Sequence, residues 1–363
     1  MRRPIVTYVD PPWAFGPGGE IDPSRATYER EVFGDQVELR IGPAVGRRYV
    51  QEGEAFAAAV RGADALVIHR CSVTPGLLEA VGGGLKVVGR LGVGFDNLHP
   101  ELLKDRGIVG FNVPDYCIDE VSTHALALLL ALERRLIPQH ESLAGGRFDI
   151  YVGGTPRRLR EHTAGVVGFG RIGRVVATRL RTFYDRVLAF DPYVEADVMA
   201  AHGARKAGFE ELLEGADAVL LHCLLSEETE GMMDAAAFSR MRPGAVLVNT
   251  ARGALIAPEA LHEALVSGHL GGAGMDVFSP EDPHRDEWYG RVVRLPNVAV
   301  TSHRAYLSRE AEASQRRRTA GSIVETLRTG RPPASGHLTE GVRIAWTPPL
   351  SGAAGVDLDE RKD

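Results

Sequence analysis

One stretch, residues 164 to 191, limits the possible folds more than any other. Ala164 to Val167 is an apolar run with the character of a buried strand. It meets Gly168-Phe169-Gly170-Arg171-Ile172-Gly173, after which Ile172, Val175, Val176 and Leu180 recur at helical spacing. The local order is therefore strand, glycine turn, helix. Gly168 suits the tight turn, Gly170 lets the backbone approach a pyrophosphate, and Gly173 lets the helix lie close to the strand. Amides at the helix start, with the positive end of the helix dipole, form an anion site. A second strand, Val187 to Phe190, ends at Asp191, 23 positions beyond Gly168. A carboxylate there accepts from the adenosine ribose hydroxyls and repels a 2′-phosphate, so the expected cofactor is NAD rather than NADP. Glycine spacing alone is weak in a chain with 42 glycines. The flanking strand, the helix and the acid give this one its weight.

A chain of 363 residues has room for two domains, and 44% hydrophobic with 25% charged residues suits globular units with sizeable cores. A formal charge of −6 argues against a nucleic-acid-binding face. The one basic triplet, Arg316-Arg317-Arg318, reads as a solvated helix face. Cys71, Cys117 and Cys223 are odd in number and far apart, which suggests neither a disulfide framework nor a zinc site and fits a reducing cytoplasm. Ile5 to Val9 is too short for a signal segment, and the longest apolar run, Ala125 to Leu132, is too short to span a bilayer. No export and no membrane insertion are expected.

Before the glycine unit, the strand Ile5 to Val9, the helix Ala55 to Val60, the strand Ala63 to His69, the helix Pro75 to Val81 and the strand Lys86 to Arg90 predict a parallel α/β sheet. Gly92-Val93-Gly94 then opens a turn whose amides can form a nest for a small anion. Ile118 to Leu136 is the longest helical pattern, with acids in its first turn and arginines in its last, and it is apolar enough to be buried. Arg147 to His162 reads as a polar surface excursion. After Asp191 the alternation resumes with the strands Ala218 to His222, Ala245 to Asn249, Gly271 to Val277 and Val298 to Ser302. Leu307 to Thr329 closes the pattern as a helix, and Ala334 to Asp363 reads as a disordered tail of low apolar density.

Three stretches stand at strand ends, where open α/β sheets bind ligands: Val248 to Gly253, Met275 to Pro283 and Thr301 to Tyr306. They carry one arginine, one acid and one histidine suited to a single chemistry. His303, with an unperturbed pKa of about 6.5, can take a hydroxyl proton and return it. Glu281, bonded to the other ring nitrogen, would fix the tautomer and stabilise the imidazolium. The planar fork of Arg252 can bind a carboxylate bidentately and polarise the neighbouring carbonyl. Asp276 is placed to hold the carboxamide end of the nicotinamide.

The glycine unit, Asn249-Thr250-Ala251-Arg252-Gly253, Asp276-Val277-Phe278 with Glu281, and His303 together resemble the D-isomer-specific 2-hydroxyacid dehydrogenases. The stretches 90 to 97, 112 to 117 and 221 to 223 are similar to the branch of the C-terminal-binding proteins and phosphoglycerate dehydrogenases, and the likeness covers roughly residues 60 to 333. This resemblance implies a Rossmann NAD-binding domain, 116–304, inserted into a flavodoxin-like substrate domain, 1–115 and 305–333, with a tail at 334–363. It implies an active site in the cleft, and a homodimer with Ile118 to Leu136 as hinge and main dimer contact. The implied cofactor contacts are Gly168, Gly170, Arg171, Ile172, Gly173, Asp191, His222, Cys223, Thr250, Ala251, Asp276 and Val121. On the substrate side stand Val93 and Gly94 for the carboxylate, then Arg90, His69, Tyr306, and Arg70 for a distal anionic group. The implied reaction oxidises a small anionic D-2-hydroxy acid to a 2-oxoacid. Alternatives are another hydroxylated oxyanion, such as a hydroxyalkylphosphonate, and an NAD(H)-sensing binding protein of the corepressor type. Three departures stand out: Ser302 and Leu224 replace frequent prolines, and Tyr306 replaces a pocket tryptophan.

Overall fold

The computed structural model describes residues 2–342 and divides into two units, Met1–Tyr116 with Arg309–Asp363, and Cys117–Ser308. The second unit thus interrupts the first in sequence. In the first unit, β1 (Ile5–Tyr8), β2 (Glu38–Ile41), β3 (Ala65–Ile68), β4 (Val87–Arg90) and β5 (Val109–Phe111) form a parallel sheet in the order β2-β1-β3-β4-β5. That is the doubly wound order of flavodoxin-like folds. All four residues of β3 are buried, which explains its unbroken apolar run: a central parallel strand is covered on both faces. The closing helix, Arg309–Thr329, buries Ala320, Ile323 and Leu327 in the core with Val6, Tyr8 and Val109.

Two expectations are corrected in this unit. Arg316 is not on a solvated face: it is 4% exposed, its guanidinium lies 2.6 Å from Oε2 of the fully buried Glu29, and it stacks over the Trp13 ring at 4.1 Å. Helical spacing puts residue 316 on the buried stripe of 320, 323 and 327, and the ion pair makes burial of its charge tolerable. Arg317 and Arg318 stay near the surface, paired with Glu31 and Asp115. Nor do residues 334–342 form a disordered tail. The amide of Asn112 donates to Gly336 O at 3.0 Å, Leu338 N donates to Gly110 O at 2.9 Å, and Gly110 N donates to Thr339 Oγ1 at 2.9 Å, so this segment covers the open edge of β5. Gly336 sits at φ +76°, where a Cβ would lie 2.1 Å from Asn112 O. The remainder of the expected tail lies outside the described residues.

In the second unit, β6 (Thr163–Val167), β7 (Arg186–Phe190), β8 (Arg205–Lys206), β9 (Ala218–Leu221), β10 (Ala245–Asn249), β11 (Leu270–Met275) and β12 (Val298–Val300) form a seven-stranded parallel sheet, ordered β8-β7-β6-β9-β10-β11-β12. Strand order reverses between β6 and β9, the switch point at which such sheets bind ligands. Helix α1 (Ile118–Glu133) packs on β10, β11 and β12 and beside α2 (Arg171–Leu180). Its close approach explains Gly274 of β11, where a Cβ would lie 3.0 Å from Leu128 Cβ. The long helical pattern ends earlier than expected: Arg135 is left-handed at φ +56°, and Leu136–Ala144 forms a separate helix.

Candidate active site

In the second unit the three glycines of the turn differ in what surrounds them. Gly168 is left-handed at φ +92°, and a Cβ there would lie 2.4 Å from Cys223 N; one on Gly173 would lie 2.1 Å from Gly168 O. Both are needed by the protein's own packing. Gly170 has nothing within 4 Å of its Cβ position, so packing alone does not demand a glycine there. Its bare side faces open space beside the α2 N-terminus, a cradle that suits a pyrophosphate. Arg171 is exposed and Ile172 half-buried in the first turn of α2. Asp191, at the end of β7, accepts from Phe169 N at 2.8 Å and from Tyr193 N at 3.0 Å, which ties the second strand to the glycine turn.

Beyond the switch point, His222 and Cys223 follow β9. The His222 Nε2 atom is buried with no hydrogen-bond partner among the described residues, and desolvation pushes its pKa down to about 4. Burial pushes the Cys223 thiol up to about 11, so it is neutral near neutrality. At the end of β10, the Asn249 side chain accepts from Ala251 N at 3.0 Å and donates to Arg252 O at 2.8 Å, which staples the turn that presents Arg252. Thr250 Oγ1 is a second buried polar atom without a partner among the described residues. Gly253 has no room for a side chain, because a Cβ would lie 2.1 Å from the Phe278 carbonyl carbon.

His303 Nδ1 lies 2.8 Å and 2.9 Å from the two Glu281 carboxylate oxygens. The other ring nitrogen, Nε2, has no partner among the described residues, and the side chain is 16% exposed. Tyr306 meets the imidazole edge-on, with ring centroids 6.2 Å apart. Asp276 departs from expectation. It is fully buried, and its carboxylate accepts from Thr301 Oγ1 at 2.5 Å, Arg304 N at 2.9 Å and Ala305 N at 2.9 Å. Its charge holds the His303 turn, and no surface is left for a carboxamide. Val121, another expected cofactor contact, is buried in α1 at 7% exposure.

In the first unit, the amides of Val93 and Gly94 make no hydrogen bond among the described residues, and Asn112 Nδ2 donates to Val93 O to hold their loop. Asp10 accepts from the amides of His69, Arg70 and Cys71, each at 2.7 Å, while Asn97 Nδ2 donates to the carbonyls of His69 and Cys71. Arg70 is thereby presented at the surface. His69 and Arg90, expected on the substrate side, are buried at 5% and 8% exposure. Arg90 folds back over Gly92, where a Cβ would lie 1.2 Å from its Nη1, and its charge acts on Asp10.

Sequence reasoning did not find Asp10, Asn97 or His124. Asp10 carried the signal of an acid just past a strand; His124, inside an apolar helix, carried none. Among the described residues, no group of three or more His, Cys, Asp or Glu side chains could hold a metal ion, and no helix is long and apolar enough to cross a membrane.

A doubly wound parallel sheet with a glycine cradle at its switch point and an acid on the next strand defines a dinucleotide-binding unit. Residues 126–305 match the family described as D-isomer specific 2-hydroxyacid dehydrogenase, NAD binding domain. The chain is 37% identical over 301 residues to D-3-phosphoglycerate dehydrogenase of Mycobacterium leprae (strain TN), covering 82% of this chain and 53% of that one. It is 34% identical over 266 residues to hydroxypyruvate reductase of Thermotoga maritima, covering 73% and 83%. The structure of D-lactate dehydrogenase from Aquifex aeolicus, complexed with NAD and lactic acid, matches with a TM-score of 0.76 and 25% identity, over 89% of this chain and 94% of that one. The chain spans about half the length of the phosphoglycerate dehydrogenase it matches. It belongs to the D-isomer-specific 2-hydroxyacid dehydrogenase family, and its second unit is an NAD-binding domain.

Proposed function

We propose that this chain is an NAD-dependent dehydrogenase that interconverts a D-2-hydroxy acid and its 2-oxoacid. The observation that carries the reading is the His303–Glu281 pair, in which Nδ1 is held at 2.8 Å and Nε2 is left for a reacting group. Nε2 takes the hydroxyl proton in oxidation and returns it to the carbonyl oxygen in reduction. Glu281 keeps the ring in one orientation and stabilises its charged form. Bound NAD supplies the hydride acceptor. Gly170, the α2 amides, Thr250 and His222 hold its phosphates and nicotinamide side, and Asp191 favours NAD over NADP. Arg252 holds the substrate carboxylate and polarises the adjacent carbonyl. The Val93 and Gly94 amides suit a carboxylate as well.

Exposed Arg70 suits a second anionic group on the substrate, and the name of the phosphoglycerate dehydrogenase relative supports that choice. Leu136, Leu143, Phe148, Ile150 and Tyr151 leave 55% to 86% of their surface exposed within one short stretch, which supports a second copy as the partner. The test is NADH oxidation against 2-oxoacids with and without a distal phosphate, phosphonate or carboxylate. His303→Asn, which tolerates the left-handed backbone, is the control, with an expected loss of about 10²–10⁴ in kcat. Tight NADH binding without turnover of any 2-oxoacid would reject the dehydrogenase.

A further inference from the structure

The turn that carries His303 is held by groups that the acid–base chemistry does not use. His303 sits at φ +53°, a conformation that a residue with a side chain keeps only where its surroundings over-determine it. Asp276 does much of this: its carbonyl accepts from His303 N at 2.7 Å, and its carboxylate accepts the next two amides and the Thr301 hydroxyl.

The connection continues into α1. His124 Nε2 lies 2.9 Å from Thr301 Oγ1. At 2.5 Å from a carboxylate oxygen, the Thr301 hydroxyl must point its proton at Asp276, because two oxygens without a proton between them would repel. Thr301 can then only accept from His124, which makes His124 the Nε2–H tautomer. Burial and the nearby Arg304 charge lower the His124 pKa against the pull of Asp276, which favours the neutral ring. One helical turn earlier, Glu120 accepts from Ser308 Oγ at 2.7 Å. Glu120 and His124 share one face of α1 and reach residues 308 and 301, the two ends of the segment bearing His303. Elsewhere on α1, Ser122 and Thr123 accept from Arg179 of α2 at 2.7 Å and 2.8 Å, and Asp119 pairs with the same guanidinium. Helix α1 therefore grips both the helix of the glycine turn and the segment of the acid–base pair.

We infer that His124 is a positioning residue for His303, acting through Thr301 and Asp276 from the helix that also anchors the glycine-turn helix. The rate readout of this inference rests on the dehydrogenase reading; the spectroscopic one does not. In full-length protein, long-range ¹H–¹⁵N correlations of labelled histidines report each ring's tautomer. Wild type is expected to show His124 as Nε2–H and His303 as Nδ1–H. His124→Leu and Thr301→Val should replace the single His303 tautomer with an averaged signal, lower kcat about 10- to 100-fold and leave the NADH dissociation constant within about twofold. His124→Gln, which offers an N–H at the Nε2 position, should restore both. An unchanged His303 tautomer in His124→Leu overturns the inference. So does parallel loss of NADH binding and kcat without rescue by Gln, the mark of a merely structural histidine. If the wild type turns over no 2-oxoacid, the dehydrogenase reading fails and the tautomers alone decide.

Discussion

The Asp10 carboxylate accepts the Arg70 amide hydrogen at 2.7 Å, and the neighbouring amides of His69 and Cys71 bond to the same group. One buried acid past β1 thus shapes the loop past β3. Asp10→Ala leaves three amides without their acceptor, and we expect a loss of about 2–4 kcal/mol in urea unfolding. If Arg70 recognises a distal anion, the variant should also raise KM for 2-oxoacids with a second anionic group more than for those without one. Equal changes in both KM values would separate the loop from recognition.

Gly170 and Gly173 provide a contrast within one turn. Gly170→Ala meets open space and should melt within a few degrees of wild type, yet lose NADH affinity by tenfold or more because its methyl group occupies the cradle. Gly173→Ala drives a Cβ to 2.1 Å from the Gly168 carbonyl oxygen and should destabilise the second unit itself. Thermal melting with NADH fluorescence titration distinguishes the two outcomes. Unaltered NADH binding in Gly170→Ala would remove that residue from the cofactor site.

A pH dependence follows from His222, whose folded pKa is pushed down to about 4 by desolvation. The unfolded chain, with a histidine pKa of about 6.5, binds the proton first as pH falls. This histidine's contribution to stability is fully present above about pH 6.5 and declines toward pH 4, with a slope of up to about 1.4 kcal/mol per pH unit. In His222→Asn that part of the slope should vanish from urea titrations of the cofactor-free protein across this window. An identical pH profile in the two proteins would contradict the buried, neutral imidazole.

The Arg316–Glu29 pair predicts an asymmetry. Arg316→Met leaves the fully buried Glu29 without its partner and should cost about 3–5 kcal/mol, whereas combining it with Glu29→Leu should recover much of that loss. A double-mutant cycle by thermal and urea unfolding measures the coupling. Additive losses would show that the two side chains act independently.

Where a residue's task is local, the chain announces it. The glycine turn, the acid ending the second strand and the stretches at 249–253, 276–281 and 301–306 are legible because turn sterics and strand ends recur at short spacing. His303 and Glu281, 22 residues apart, also meet as their chemistry suggests. Other residues are misread for one shared reason. Periodicity tells that a face is apolar or polar but not what covers it, so Arg316 passes for a surface cation and residues 334–342 for a tail. Asp276 looks like a ligand contact because it ends a strand, yet its carboxylate is taken by amides that follow it by 28 and 29 residues.

From the sequence alone come the parallel α/β character, the glycine turn suited to a dinucleotide, and a candidate acid–base pair and candidate substrate-binding arginine, since these rest on short-range sterics and intrinsic side-chain chemistry. Only tertiary structure decides which strands are neighbours, which charges are buried and which partner each histidine ring meets. His124 and Thr301 are 177 residues apart and meet only because α1 packs across the strands that lead to His303. Such contacts depend on the registration of whole elements, and a sequence of residues carries no local sign of it.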